Sequence, residues 1–165
     1  MLTPGRPHLA LPMALLATVA LVTGCGGGGG DAGTLTKAEL IAQGNEICRQ
    51  GDKQYTELQQ NPPKTPQDAA TLTQKLIAIT NSEVNQIHSL NAPEEVRPAL
   101  ERYLKARQNG VAILEQGLKA AESNDAQAYA AAQAKMAAGQ VDRLKLAQAV
   151  GFTECSRPGG SSSGG

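Results

Sequence analysis

Three residues in the middle of the chain could together hold a small ligand: the carboxylate of Glu83, the phenol of Tyr103 and the guanidinium of Arg107. At about 100° per residue, Glu83 and Arg107 both fall on the apolar faces of their predicted helices rather than on the solvent faces. A fold-back of the chain about Ala92 would bring the two charges within roughly one helical turn of the same level. Tyr103 precedes Arg107 by about one turn.

Two interpretations of these residues stay open. We favour an ion pair that fixes the register of the two helices, either buried or reaching the rim of the core. The alternative is a polar pocket for a small anionic ligand inside the bundle. Gln140 and Arg143 on the last predicted helix lie at a similar height, and Gly44 and Gly51 leave space on the first.

No catalytic motif accompanies these residues. The chain has no G-x-S-x-G elbow, no phosphate-binding loop, no H-E-x-x-H pair and no C-x-x-C spacing. His88 has neither a second histidine nor a Cys/Asp cluster beside it, which favours a solvated surface residue over a base or a metal ligand. We therefore predict that the protein is not an enzyme and uses no cofactor and no metal ion.

Cys25 stands where an apolar segment ends and a run of glycines begins. It follows Leu21-Val22-Thr23-Gly24, and residues 9–22 carry no charge. This segment is shorter than the roughly 20 residues that cross a bilayer as a helix. The arrangement resembles the lipobox of the bacterial lipoprotein signal peptide, in which the cysteine receives a diacylglycerol and becomes the first mature residue. Simple secretion, with cleavage near the same glycine, is the alternative.

The resemblance implies a signal peptide over residues 1–24 and a lipidated cysteine with a Gly-rich tether over residues 25–35. Two or three acyl chains such as palmitate would make the attachment durable, whereas one alone binds reversibly. We therefore expect a lipid-anchored protein on the extracytoplasmic face of the cell membrane. The membrane is its first expected partner.

Cys48 and Cys155 are the two cysteines that remain once Cys25 is acylated. In an exported chain they are expected to form a disulfide that closes a loop over most of the mature domain. Two buried, unpaired thiols are the alternative, because free cysteine often packs as a small hydrophobe.

Charge and aromatic content exclude several kinds of partner. The chain has 15 basic and 15 acidic residues, and removal of the signal peptide with Arg6 leaves one excess negative charge. It therefore lacks the basic surface that binds nucleic acid or grips anionic lipid. Three tyrosines and one phenylalanine are too few for a platform on which bases or sugars stack. No nucleic-acid partner is expected.

The mature domain, residues 36–155, shows helical periodicity and no strand alternation, which predicts an all-α fold. Thr36 and Glu39 form a capping box at the start of helix one. Thr65 caps helix two, with Pro66 at its first position. Helix one is expected to end at residues 61–64.

Helix three begins around Glu94 and Glu95, and Pro98 requires either a later start near Arg97 or a bent first turn. Helix four is expected to run unbroken from Ala126 to Val150. Gly151 then supplies a left-handed cap.

Short turns between helices of this length favour an up-down-up-down four-helix bundle. In this arrangement helices one and four are antiparallel neighbours, and the disulfide joins helix one to the C-terminal segment. Residues 156–165 form a Gly/Ser-rich tail that is expected to be disordered.

The two ends of this domain carry a second resemblance. The opening residues 35–48 and the closing Gly151-Phe152-Thr153-Glu154-Cys155 are similar to those of small exported helical lipoproteins of high-GC bacteria. The resemblance implies the same disulfide and implies no activity.

The function expected from the sequence is that of a membrane-tethered, non-enzymatic interaction module with a partner in the cell envelope. The alternative is a small-ligand-binding lipoprotein that uses the region of Glu83, Tyr103 and Arg107. A core filled by leucine and isoleucine in this region would remove the alternative.

Overall fold

A computed structural model describes residues 33–157, which form helices and contain no β-strand. The helices are α1 (Lys37–Gln59), α2 (Pro66–His88), α3 (Arg97–Glu122), α4 (Ala126–Ala138) and α5 (Gln140–Val150). The all-α prediction is confirmed for this part of the chain. None of these helices has an apolar stretch long enough to span a lipid bilayer. The predicted signal peptide, Cys25 and most of the tether and tail lie outside the described residues.

The first two helices begin where their capping residues predict. The Thr36 backbone N–H donates to Glu39 Oε2 at 2.8 Å, and the Glu39 N–H donates back to Thr36 Oγ1 at 3.3 Å. Thr65 and Asp68 form the same reciprocal pair before α2, with Pro66 at the first helical position. Both capping boxes satisfy N–H groups that the helix itself leaves without acceptors.

Helix α3 begins at Arg97, so the later of the two expected starts is correct. Glu94 and Glu95 lie in the turn before it, not in its first turn. Pro98 is then the second residue of the helix. The lost N–H of a proline costs no helical hydrogen bond there, because the first four N–H groups have no partner within the helix.

The prediction of one unbroken helix four was wrong, because the helix breaks at Gly139 into α4 and α5. The Met136 carbonyl, which a continuous helix would pair with the N–H of Gln140, accepts from Arg143 Nη2 at 2.7 Å. A Cβ at position 139 would lie 2.6 Å from Arg143 Nη1. The glycine therefore makes room for the arginine that caps the end of α4.

The helices pack mainly as the pairs α1–α2, α2–α3, α3–α4 and α3–α5. Helix α1 makes few direct contacts with α4 or α5, although close neighbours were expected there. The main core joins α1, α2, α3, α5 and the C-terminal segment through Leu40, Ile87, Leu100, Tyr103, Leu104, Ala147, Val150 and Phe152.

Helical periodicity in the sequence predicts an inner face of α2 through Leu72, Leu76, Ile79, Val84, Ile87 and Leu90. Val84 and Ile87 are buried as predicted, but the first half of the helix presents other residues to the core. Leu72, Leu76 and Ile79, which were expected inside, are only half-buried, whereas Thr73 and Thr80 are buried. The Thr73 and Thr80 hydroxyls donate to the helix carbonyls four residues earlier, at 2.7 and 2.9 Å. Because their hydrogen bonds are satisfied within the helix, these small side chains are buried at little cost.

The C-terminal segment turns at Gly151, which has a left-handed φ of 101°, as predicted. Phe152 is fully buried, and its ring meets Tyr103 edge-on with centroids 5.8 Å apart. A Cβ at Gly44 would overlap this ring. The glycine on α1 therefore accepts the phenylalanine, a role that spacing alone did not indicate.

A disulfide joins Cys48 on α1 to Cys155, whose Cα atoms are 5.2 Å apart. Beside it, the Glu154 N–H donates to Asn45 Oδ1 at 3.0 Å. The bond thus links helix one to the C-terminal segment, and together with Phe152 it fixes that segment against the first three turns of α1.

Candidate functional site

An open cleft lies between α1 on one side and α4 and α5 on the other, with α3 beneath it. It contains two adjoining cavities of about 340 and 310 Å³. Residues from all four helices line both cavities: Asp52, Tyr55, Arg107, Gln133, Met136, Gln140 and Arg143. We call this space the interhelical cleft.

The larger cavity is the polar half of the cleft. It brings together the three residues singled out from the sequence, Glu83, Tyr103 and Arg107, and the disulfide closes one end of it. Arg107 Nη2 donates to Glu83 Oε2 in a salt bridge. The region is therefore neither a plain apolar core nor a solvent-exposed surface.

Gly51 allows the Glu83 carboxylate to lie against α1. A Cβ at position 51 would overlap Glu83 Oε1. The Glu83 side chain is 8% exposed and that of Arg107 is 21% exposed, so the carboxylate is the deeper partner.

Burial raises the pKa of the Glu83 carboxyl above its usual value, with Arg107 opposing the rise and Asp52 adding to it. Burial acts to lower the pKa of Arg107, but the negative charge of Glu83 and the nearby tyrosines raise it overall. Arg107 therefore stays positively charged at neutral pH and keeps N–H donors for groups other than Glu83.

Tyr55 is a polar residue of the cleft. Helical periodicity in the sequence places it on one stripe of helix one with Gly44 and Gly51, where it is expected to be an ordinary core residue. Its hydroxyl bonds to Thr80 Oγ1. Because the Thr80 hydroxyl proton goes to the Leu76 carbonyl at 2.9 Å, Tyr55 is the donor of this bond. Burial raises the pKa of Tyr55, and the charge of Arg107 opposes the rise. The sequence signal for this role was the position of Tyr55 four residues after Gly51, on the same stripe of the helix.

Tyr103 is 2% exposed, and burial raises its pKa to about 12. Its hydroxyl lies 4.0 Å from Cys48 Sγ. The sulfur has no proton in the disulfide, so the phenol is the donor. Tyr103 therefore positions the disulfide end of the cleft and stays protonated.

Arg143 is a second cation on the opposite wall, half-buried and held by the Met136 carbonyl. Burial lowers its pKa, and the like charge of Arg107 lowers it further. Two guanidinium groups thus share the lining of both cavities. One of them, Arg107, has Glu83 as counter-charge, whereas Arg143 makes no salt bridge within residues 33–157.

The remaining charges lie towards the mouth of the cleft. Arg157 pairs with Glu154 at 3.0 Å, and Asp52 is exposed on α1. His88 is also exposed and lies outside the cleft. Within the described range no three His, Cys, Asp or Glu side chains come together as a metal site would require.

The arrangement can therefore bind and orient an anion through the N–H donors of two arginines, Arg107 and Arg143. Of the acidic side chains in its lining, Glu83 pairs with Arg107 and Glu154 with Arg157, whereas Asp52 makes no salt bridge among the described residues. Comparison of the chain with protein-family models, curated proteins and solved structures gave no match, so the geometry of the cleft is the guide to function.

Proposed function

We propose that this protein is a lipid-anchored extracytoplasmic binding module that holds a small anionic ligand in the interhelical cleft. The observation that carries the proposal is an open cavity of about 340 Å³ lined by both Arg107 and Arg143. Ligand pockets of proteins begin at about 300 Å³. The leucine- and isoleucine-filled core that would have removed this function is not what occupies the region.

An anion suits this cleft for an electrostatic reason. Arg107 and Arg143 carry like charges in a partly desolvated space, and only Arg107 is paired with a described carboxylate. A carboxylate or phosphate between them would relieve the repulsion. It would also accept charge-assisted hydrogen bonds, for which the forked guanidinium is well shaped.

A partner protein in the cell envelope is the second candidate. Protein interfaces depend on buried aromatic and aliphatic anchors. Among the described residues the large hydrophobic side chain that stands exposed is Val141, at 57%. This residue lies at the start of α5 beside the cleft, and it supports such an interface less strongly than the cavity supports a ligand.

The anchor proposed from the lipobox fits the point where the tether meets the helical body. The Leu35 N–H donates to the Asn91 carbonyl at 2.9 Å, and Asn91 Nδ2 donates to the Gly33 carbonyl at 2.9 Å. The chain from Cys25 therefore reaches the body beside the turn between α2 and α3. We infer that this end of the bundle is nearest to the membrane.

Replacing Cys25 by serine is expected to move the protein from the membrane fraction to the soluble extracytoplasmic fraction, because no acyl chain can be attached. Cell fractionation with immunoblotting measures the shift. Mass spectrometry of the wild-type N-terminus should show an acylated Cys25. A wild-type protein that carries its initial Met1 and no lipid would contradict the anchor.

We also propose the up-down-up-down order for the helices. Contacts between residues far apart in sequence support it: Gly51 of α1 lies against Glu83 of α2, and Gly117 of α3 lies against Ala132 of α4. The break at Gly139 divides the fourth helix of the bundle into α4 and α5, but the chain does not reverse its direction there. Cross-links between engineered cysteine pairs at these levels would test the order.

Replacing Arg143 by glutamine is expected to weaken anion binding by about 10- to 100-fold, because a hydrogen bond to a charged group contributes about 1.5–3 kcal/mol. NMR titrations with acetate, methyl phosphate and inorganic phosphate detect the weak binding of such short anions. Lys145→Gln is the matched control, since it removes the same charge from an exposed position of α5. Equal losses in the two variants would contradict a specific site.

A further inference from the structure

The two halves of the interhelical cleft differ in chemistry. The polar half has charged side chains at its floor and mouth. The other half is a cavity of about 310 Å³, which we call the apolar half because its α2, α3 and α4 walls carry the apolar groups Leu76, Gly110, Leu114 and Met136. Polar side chains, among them Thr56, Gln59 and Thr80, complete its lining. Arg107, Arg143 and Asp52 line both, so two cations and one carboxylate stand at the junction.

Gly110 keeps the apolar half open. A Cβ at this position would meet only Met136 Cε at 3.9 Å and Arg143 Cδ at 4.0 Å, which are ordinary contacts. The glycine is therefore not required by close packing, unlike Gly44 or Gly51. Gly110 lines the cavity, and the space beside it, which we call the hollow, accommodates at least a methyl group.

An apolar hollow in contact with water is unfavourable, at about 25 cal/mol for each Å² of apolar surface. An alkyl chain would remove this surface from water. A head group that is neutral or positive would leave the repulsion between Arg107 and Arg143 in place, whereas an anion would offset it.

We propose, building on the anion site above, that the ligand is an anionic amphiphile. Its carboxylate or phosphate head lies between Arg107 and Arg143, and its alkyl tail extends over Gly110 towards Leu114. The head is the part recognised by charge, and the tail supplies most of the affinity.

Because the alkyl tail lies in the apolar half, we expect the binding affinity to increase stepwise with chain length. Each methylene buried in the apolar half should tighten binding about fourfold until the hollow is full. Butyrate, hexanoate and octanoate, each below its micellar concentration, test this by calorimetric titration of the full mature chain carrying Cys25→Ser. Octyl phosphate distinguishes a phosphate head from a carboxylate head. Octanol and octylammonium supply the same tail without the negative charge.

Gly110→Leu should fill the hollow and remove the gain from butyrate to octanoate. Ala112→Leu, at an exposed position of the same helix, is the matched control and should keep the gain. Leu76→Gln provides a second test should Gly110→Leu fail to fold, because it makes the half-buried wall polar and should reduce the gain.

Three other results of these titrations would each overturn a specific proposal. Octanol or octylammonium binding as tightly as octanoate would overturn the amphiphile proposal. Short anions that bind with no gain from longer chains would overturn it too, while the anion site stands. Failure of every anion to bind would overturn the proposed function itself.

Discussion

Replacing both Cys48 and Cys155 by alanine is expected to lower the free energy of unfolding by about 4–5 kcal/mol, because the disulfide restricts the unfolded chain. The bond closes a loop of 107 residues, which covers almost the whole of the helical domain. Urea unfolding followed by circular dichroism measures the loss. Wild-type protein in a reducing agent should show the same loss, and the variant should be unaffected by that agent.

The native contacts of the C-terminal segment should persist in the variant that lacks the disulfide. Phe152 is fully buried and the Glu154 N–H remains bonded to Asn45, so the variant should keep the helical content of the wild type at low urea. A loss below about 1 kcal/mol would show that the loop restriction contributes little. Free thiols in the wild-type protein would show that the bond is absent.

Replacing Arg107 by methionine is expected to lower the free energy of unfolding by about 3–5 kcal/mol, because it leaves the buried Glu83 carboxylate without its counter-charge. The 21% exposure of the Arg107 side chain lets water screen part of the pair, which favours the lower end of this range. The double variant Glu83→Leu/Arg107→Met should recover most of the loss, since apolar side chains replace both charges.

A double-mutant cycle at neutral pH measures this coupling between Glu83 and Arg107. If the free-energy losses of the two single variants add up to the loss of the double variant, there is no coupling and the prediction is contradicted. The double variant also separates stability from binding: it should fold nearly as well as wild type and yet bind short anions more weakly, because one of the two cations is gone. A stable double variant with unchanged anion binding would assign Arg107 to structure alone.

The contribution of Glu83 to the free energy of unfolding changes with pH in a definite direction. Burial raises the pKa of Glu83 in the folded state above the ordinary value of 4.5, so the unfolded chain loses this proton first. Over the interval above 4.5 the folded state binds more protons, and the contribution of Glu83 to stability therefore falls as the pH rises. Comparison with Glu83→Gln isolates this contribution from the exposed acids Glu39, Glu46 and Asp68, whose pKa values are lowered.

Part of the site followed from helical spacing alone. Glu83 and Arg107 fall on apolar stripes in the sequence, and the structure pairs them. Tyr55 lies on a stripe as well, but an aromatic residue there is indistinguishable from a core residue until Thr80 and Arg107 are seen beside it. Buried polar groups need partners from other helices, and periodicity does not specify those partners.

The sequence by itself determined the features that act over a few residues. The capping boxes at Thr36 and Thr65, the glycine cap at Gly151 and the ends of α1 and α2 follow from local hydrogen bonding and allowed dihedral angles. The all-α class follows from the repeat of apolar residues.

Only the tertiary structure decided whether α1 would close against α4 and α5 or leave a cleft. That outcome depends on side-chain volumes contributed by several helices at one level, as at Gly110 and Gly139, and on where Arg143 finds an acceptor. The position of Phe152 above Gly44 likewise depends on side-chain volumes contributed by separate parts of the chain. Close packing is a property of surfaces that meet in space, so residues far apart in the chain set it together.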